Sequence, residues 1–308
     1  MAAGGARAGR GDGPPANERS PEPPVRALRA GCLAFAALAV PGRGRVASAH
    51  RRLAHLALAD GTLVTLLPEG TPLDPWALTV TFDPATVAPD AEVSSSAGSL
   101  LVGPLEIALA GTPVAELRLR RHPTSLPADL AARLARTAPS GGEALSSAMG
   151  MPSSEPRTRA AEDLFDAATL SGLGTFQAGG GARELASLVG LGRGLTPSGD
   201  DVVVGVLAGL DLARRASRVA GPLRAELASG LAGDIASRTS RLSAQMLSAA
   251  ALGFYAEPVL DVLDALSGET DEPDGLERAA ARLVAMGHRS GEDTLRGIVA
   301  ALDRVSRG

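Results

Sequence analysis

The hydrophobic pattern divides the chain into two parts. Between about residues 44 and 122, short β-branched or alternating runs are separated by turns that contain Gly and Pro. Two such pieces, 105–109 and 114–119, flank a glycine turn and predict a β-hairpin. From residue 126 onward, apolar residues recur at helical spacing. The pattern predicts an α+β fold, with a small, mostly antiparallel N-terminal β domain followed by a helical C-terminal domain. The runs typical of strands cover residues 46–58, 62–67, 77–82 and 100–120.

Composition indicates where the domains begin and end. Residues 1–24 are rich in Gly, Ala, Pro and Arg and hold almost no large apolar side chain, so burial cannot offset the entropy cost of ordering them. We predict a disordered leader over residues 1–24, a β-rich domain over 25–122 and a helical domain over 123–308 that carries a polar site. A Ser-, Gly- and Pro-rich stretch around 138–157 predicts a loop inside the helical domain.

Charge and residue usage exclude several classes of protein. The net charge is −4, and no block of Lys and Arg occurs outside a short N-terminal scatter, which argues against nucleic-acid binding. The single cysteine, Cys32, cannot form an internal disulfide, so a reducing compartment fits. The apolar run 32–40 follows basic residues as in a secretory signal, but it lacks a convincing cleavage site. It is also too short to cross a bilayer. We therefore expect a cytoplasmic protein without a membrane segment.

A polar segment precedes the most apolar helix that the sequence predicts. Gly194 to Asp201 reads Gly-Leu-Thr-Pro-Ser-Gly-Asp-Asp, and the following residues are apolar on every helical face, which predicts a buried helix. Pro197 suits a first helical turn, and Ser198 with Asp201 matches a capping box. The segment either caps this helix or forms a binding site. Asp200 and Asp201 would repel a bare phosphate, so a site here would bind an amide, an amine, a cation or an anion bridged by Mg²⁺. Asp200 and Asp201 are the candidate magnesium ligands.

The helix start at 198–201 has a second copy. Ser290-Gly291-Glu292-Asp293 repeats Ser198-Gly199-Asp200-Asp201 at an offset of 92 residues, and Gly297 matches Gly205 at the same offset. One hypothesis is that two equivalent helix starts face one pocket, and the alternative is two similar caps that lie far apart. His288 precedes the second start, where it is a candidate acid or base.

A polar turn with two arginines lies between these helix starts. Arg238 and Arg241 flank Ser240 in the sequence Arg-Thr-Ser-Arg. The arginines either lie on the solvated surface or point into the site, where a guanidinium group would bind a carboxylate or phosphoryl group through two hydrogen bonds.

Three segments together resemble a known bacterial family. Residues 190–201, 238–244 and 287–295 are similar to the signature segments of the family that includes the AllH subunit of oxamate carbamoyltransferase, from allantoin degradation in purine catabolism. The resemblance extends over roughly residues 30–305. It implies a subunit that works with other polypeptides, one of them similar to acyl-CoA synthetases, to exchange a carbamoyl group between oxamate and phosphate. Two departures from the family pattern, Arg193 and Arg289, add positive charge.

Two functions remain open from the sequence. In the first, the chain is a transferase subunit that acts on oxamate, or on a related small carboxylate or amide, with carbamoyl phosphate. In the second, it is a noncatalytic subunit that binds a metabolite or supports assembly, because the sequence shows no nucleophile paired with a base. The candidate catalytic residues are Asp200, Asp201, His288 and Asp293. The candidate substrate-binding residues are Arg193, Gly194, Thr196, Ser198, Gly199, Arg238, Ser240, Arg241, Ser290 and Gly291.

The composition of the leader generates a first prediction. Deletion of residues 1–24 leaves the melting temperature unchanged, because these residues cannot contribute to a core. Differential scanning calorimetry of the full and shortened chains measures the effect. A loss of several degrees would show that the leader packs on the folded protein.

Overall fold

The computed structural model describes residues 25–137, 156–233, 235–268 and 274–307. The predicted disordered leader lies outside these residues, as does almost all of the predicted loop at 138–157.

The N-terminal part forms one curled mixed sheet of nine strands. The strands follow the order β8-β7-β6-β2-β3-β4-β5-β1-β9, and all neighbours are antiparallel except β4 with β5 and β1 with β9. A parallel bridge between Arg26 and Ala108 joins β1 to β8, so the sheet curls back on itself. The mostly antiparallel sheet confirms the predicted fold class. The strands are β1 Ala27–Gly31, β2 Gly42–His50, β3 Leu53–Leu58, β4 Leu63–Pro68, β5 Ala77–Val80, β6 Glu92–Ser96, β7 Ser99–Val102, β8 Leu105–Ala108 and β9 Val114–Ala115.

The core of this sheet contains a helix that the strand pattern does not predict. The apolar run after β1 forms α1, Cys32–Ala39, whose Ala34 and Leu38 are buried. Both pack with inward-facing strand residues such as Val46 and Leu56. The run that resembles a signal sequence is therefore a core element of the sheet half.

Two strand predictions are wrong. The predicted hairpin between 105–109 and 114–119 does not form, because β8 pairs with β7 while β9 pairs with β1. Instead β9 lies along β1, and β8 meets the residues just before β1, where the Ala108 amide donates to the Val25 carbonyl. The predicted run 46–58 is two strands, because Arg51, with φ of 50°, turns the chain between them.

The C-terminal part is helical, as predicted, and no described residue after β9 belongs to a named strand. Its central helix, Ser198–Ala213, is buried along its whole length after the first residue. None of the helices in the described ranges is long and apolar enough to span a membrane. The helices are α2 Leu130–Thr137, α3 Pro156–Gln177, α4 Ala182–Ala186, α5 Ser198–Ala213, α6 Ala220–Leu231, α7 Arg241–Ala251, α8 Glu257–Leu266, α9 Gly275–Val284 and α10 Ser290–Ser306.

The helices α5 and α10 pack with their backbones in contact. A Cβ atom on Gly205 would overlap the carbonyl oxygen of Thr294, and one on Gly297 would overlap the carbonyl oxygen of Val202. The two contacts join equivalent positions of the two sequence copies, with the roles of the helices exchanged. The helix pair therefore has a local two-fold symmetry. One turn further on, a Cβ atom on Gly209 would overlap the Cβ atom of Ala301.

Side-chain hydrogen bonds and an ion pair hold the sheet against the helices. Gln245 of α7 accepts a hydrogen bond from the Leu63 amide at 2.8 Å and donates to the Leu63 carbonyl at 2.7 Å. Glu257 of α8 accepts from the Leu73 amide at 2.8 Å and pairs with Arg29. These contacts fix α7 and α8 relative to the sheet.

The backbone contact between α5 and α10 generates a second prediction. Substitution Gly205→Ala lowers the free energy of unfolding by at least about 2 kcal/mol, because the new methyl group must displace a backbone carbonyl. Urea unfolding measures this loss. Gly174→Ala is the matched control, since Gly174 is also helical but has open space at the Cβ position, and it should raise stability by about 0.5 kcal/mol. Equal effects of the two substitutions would contradict the close contact.

Candidate functional site

The first two signature segments are joined by a buried carboxylate. Asp200 accepts a hydrogen bond from the Gly190 amide at 2.7 Å through Oδ1. Its Oδ2 accepts from the Ser243 hydroxyl at 2.6 Å and from the Thr239 hydroxyl. Asp200 is 1% exposed, so these bonds compensate the cost of burying its charge. Its contacts are those of a residue that positions the surrounding segments.

Ser240 fixes the same two segments at a second point. Its hydroxyl caps α7 by accepting from the Ser243 amide at 3.1 Å, and it donates to the carbonyl of Leu195. The loop before α5 and the turn before α7 therefore lie side by side.

The starts of α5 and α10 face each other, as the sequence repeat predicts. The Ser290 hydroxyl contacts the Thr196 hydroxyl at 2.8 Å and hydrogen-bonds to Asp201. In the reverse sense, the Ser198 hydroxyl hydrogen-bonds to Asp293. Each helix thus supplies a serine to the aspartate of the other. All three signature segments meet at this end of the helix pair.

The predicted capping box at Ser198 is wrong. Pro197 occupies the N-cap position of α5, and no side chain caps the helix. Ser198 is the first helical residue, and its hydroxyl interacts with Asp293 of α10. The same holds for α10, where Arg289 occupies the N-cap position without a capping bond. The tertiary contact therefore replaces the local one.

Burial dominates the electrostatics of Asp201. The side chain is 2% exposed, and burial raises its pKa to about 8. The hydroxyls of Ser290 and Thr196 favour the charged form, whereas the charges of Asp293 and Asp200 disfavour it. A carboxyl group with such a pKa exchanges protons near neutral pH.

Asp293 lies in a more cationic environment. It is also 2% exposed, and burial raises its pKa. Hydrogen bonds from Ser198 and Arg296 and the charge of Arg289 oppose that shift. Arg296 donates to Asp293 Oδ1 at 2.8 Å, and it also pairs with Glu292. The charged form of Asp293 is therefore better supported than that of Asp201.

The two facing aspartates each retain a free oxygen. Oδ2 of Asp201 and Oδ2 of Asp293 are buried, and neither has a hydrogen-bond partner among the described residues. Unsatisfied buried acceptors are costly in folded proteins and often mark functional sites. The site therefore offers two acceptors to a ligand that carries hydrogen-bond donors.

Four exposed basic side chains lie close in sequence to the residues of the helix starts. Each lies within three residues of a side chain in the network described above, and each is exposed. The Arg238 guanidinium donates to the carbonyl of Ala186, so this arginine lies over the surface and does not enter the buried core. Leu195, also at this end, is 60% exposed. We call these residues the basic rim: Arg193, Arg238, Arg241 and His288.

The predicted magnesium pair does not fit this arrangement. Both oxygens of Asp200 accept hydrogen bonds from Gly190, Thr239 and Ser243, while Asp201 interacts with residues across the helix pair. Within the described ranges, no group of three or more His, Cys, Asp or Glu side chains is arranged to hold a metal ion. The two neighbouring carboxylates thus have separate roles.

The predicted glycines also differ in their roles. A Cβ atom on Gly199 would overlap the carbonyl oxygen of Leu188, and one on Gly291 would overlap that of Leu283. Both glycines allow close packing, which the prediction of substrate contact did not anticipate. Gly194 is exposed, has φ of 90° and has open space at its Cβ position.

Sequence reasoning missed three residues that shape the site. Thr239 and Ser243 bind Asp200, and Arg296 binds Asp293. Arg296 was detectable, because it stands three residues after Asp293, a spacing that brings helical side chains together. Thr239 and Ser243 gave no such signal, since their partner is distant in sequence.

These features define an α+β protein whose helical half holds a buried carboxylate pair, with the exposed residues of the basic rim close by in the sequence. Residues 188–302 match the model of the family described as oxamate carbamoyltransferase subunit AllH, and this match supports membership of the chain in that family. The matched residues include all three signature segments, which confirms the resemblance there. No curated protein and no solved structure matches the chain significantly.

The raised pKa of Asp201 generates a third prediction. The unfolded carboxyl group has an ordinary pKa of 3.8, whereas the folded one has a pKa of about 8. Between these values the folded state holds a proton that the unfolded state has released, so this group lowers the free energy of unfolding as pH rises from about 4 to about 8. The slope from one such group is at most about 1.4 kcal/mol per pH unit.

Asp201→Asn should remove this component of the pH dependence, at a cost of about 1 kcal/mol or less because the amide keeps the side-chain shape. Urea unfolding at pH 5.5 and pH 7.5 measures the slope. Asp200→Asn is the comparison: it should destabilise the fold at both pH values by about 2 kcal/mol and retain most of the wild-type slope, because burial is the largest cause of the raised pKa of Asp201. An unchanged slope in Asp201→Asn would show that Asp201 does not hold the proton.

Proposed function

We propose that the chain is a subunit of a cytoplasmic carbamoyltransferase complex that exchanges a carbamoyl group between phosphate and oxamate, or a related small carboxylate or amide. The family match supports the reaction class. The observation that carries the proposal is the pair of facing helix starts, with Asp201 and Asp293 buried and the exposed basic rim close by in the sequence. This arrangement combines acceptors for an amide with cations for an acid group.

The chemistry of the substrates requires both kinds of group. Carbamoyl phosphate and oxamate each carry a –CO–NH2 group at one end and an anionic group at the other. A guanidinium group binds phosphate and carboxylate oxygens in a planar, two-point geometry, so Arg193, Arg238 and Arg241 suit the anionic ends. The hydroxyls of Thr196 and Ser290 contact each other and hydrogen-bond to Asp201, and they suit the amide ends.

Positioning and electrostatic stabilisation would account for most of the catalysis. The reaction joins two small molecules, so holding both in one geometry removes much of the entropic barrier. Negative charge develops on the carbonyl oxygen of the carbamoyl group during transfer, and the arginines of the rim stabilise it. Asp201, Asp293 and His288 are the groups proposed to manage protons.

The proposal includes further subunits, one of them similar to acyl-CoA synthetases. An alternative is a noncatalytic subunit that binds the metabolite for its partners. The alternative is supported by the sequence, which shows no nucleophile paired with a base. A catalytic role requires that Asp201 substitutions abolish turnover in the assembled complex even at saturating carbamoyl phosphate.

The basic rim generates a fourth prediction. Arg241→Ala weakens the binding of carbamoyl phosphate by at least about tenfold, because a charged hydrogen bond contributes about 1.5–3 kcal/mol. Isothermal titration calorimetry measures the dissociation constant, and a carbamoyl-transfer assay of the assembled complex measures the activity. The matched control is Arg215→Ala, an exposed arginine just beyond the opposite end of α5, which should change neither quantity. Equal effects of the two substitutions would exclude the rim as the anion site.

A further inference from the structure

The unpartnered oxygens of the aspartate pair form a symmetric feature. Asp201 and Asp293 occupy equivalent positions in the two sequence copies. Each aspartate accepts a hydrogen bond from a serine of the opposite helix. In each, Oδ2 is buried and has no hydrogen-bond partner in the described ranges. The contacts of Gly205 and Gly297 relate the two helices by the same local two-fold symmetry. The two Oδ2 atoms are therefore equivalent acceptors on opposite sides of a local axis.

The occupant of such a site needs two donors with matching symmetry. A planar amino group has two N–H bonds that are related by a two-fold axis along its C–N bond. A methyl or hydroxyl group offers no such pair of donors. A carbamoyl group ends in an amino group of this kind. With that amino group between the helix starts, the anionic leaving group at the other end of the molecule points outward.

A second observation opposes a metal ion at this position. Arg296 and Arg289 already act on Asp293, and both helices point their N-termini, which carry partial positive charge, toward the pair. The carboxylate of Glu292 forms an ion pair with Arg296. Both oxygens of Asp200 already accept hydrogen bonds, from Gly190, Thr239 and Ser243. The positive environment compensates much of the carboxylate charge, so neutral N–H donors suit the remaining acceptors better than a divalent cation.

We propose that Oδ2 of Asp201 and Oδ2 of Asp293, with both carboxyl groups ionised in the complex, together accept the two N–H bonds of the carbamoyl amino group of the substrate. This assignment rests on the proposed function and adds the direction of binding. The amino group lies inward, between the helix starts, and the phosphate lies outward at the basic rim. Thr196 and Ser290, which are half-buried and contact Asp201, flank the path between the two positions.

The orientation also defines a basis for specificity. Acetyl phosphate has the shape of carbamoyl phosphate but carries a methyl group in place of the amino group. In the proposed site this methyl group would leave both buried acceptors unpaired and would not interact with them favourably. Sites that hydrogen-bond a substrate group reject analogues without that group far more strongly than apolar pockets reject an extra methylene.

The test compares the two phosphates on the full chain by isothermal titration calorimetry, with freshly prepared carbamoyl phosphate. Wild-type protein should bind carbamoyl phosphate at least about 50-fold more tightly than acetyl phosphate. Asp201→Asn and Asp293→Asn should each reduce this ratio to below about fivefold. Arg241→Ala should weaken both ligands equally and preserve the ratio, because it acts on the phosphate. Circular dichroism confirms that each variant is folded, and if one aspartate variant unfolds, the other carries the comparison.

The outcomes separate this assignment from the broader proposal. Equal affinity of the wild-type protein for the two phosphates would overturn the amino-group site and leave the carbamoyltransferase function standing. A ratio that survives both aspartate substitutions would also overturn it. Binding of carbamoyl phosphate that requires added Mg²⁺ and is lost with EDTA would replace the amino-group site by a metal site. Absence of binding of either phosphate to the free chain and to the assembled complex would overturn both proposals.

Discussion

Two helices can lie with their backbones in contact only where neither has a side chain in the way, and α5 and α10 meet this condition at Gly205 and Gly297. The contact sets the relative position of the two helix starts, because both glycines stand two turns after their serines. It also buries the apolar face of each helix without aromatic residues, which make up only 2% of the chain. The position of the candidate site follows from this constraint.

Three aspartates at this end of the helices have different roles because their neighbours differ. Asp200 is surrounded by donors from the loop before α5 and from α7, so its charge is compensated and it joins these elements. The positive charges of Arg296 and Arg289 favour the charged form of Asp293. Asp201 has hydroxyls as its nearest donors and the other two carboxylates as neighbours, so its pKa rises to about 8. Identical residue types thus acquire a structural role at Asp200 and raised pKa values, with different neighbouring charges, at Asp201 and Asp293.

The elements that the sequence predicted well are those with a long local signal. The helical character after residue 126 and the burial of α5 follow from apolar spacing, which depends on the chain itself. The hairpin at 105–119 failed because turn signals do not indicate which strand will pair with which. The first piece met Arg26 just before β1 and the second paired with β1, both more than 70 residues earlier in the chain. The capping box at Ser198 failed for a related reason, since the serine hydroxyl found a better acceptor on another helix.

The sequence by itself determined the α+β class, the repeat of the helix starts and the chemical types available to the site, because each depends on residues close together in the chain. Only the tertiary structure decided which side chains meet. Thr239 and Ser243 reach Asp200 across about forty residues of sequence, and Ser290 reaches Asp201 across nearly ninety. The sequence repeat suggested a contact between the starts of α5 and α10, but local sequence does not determine the distance between two helices. That distance depends on the packing of glycine against backbone at Gly205 and Gly297, which exists only once both helices are folded together.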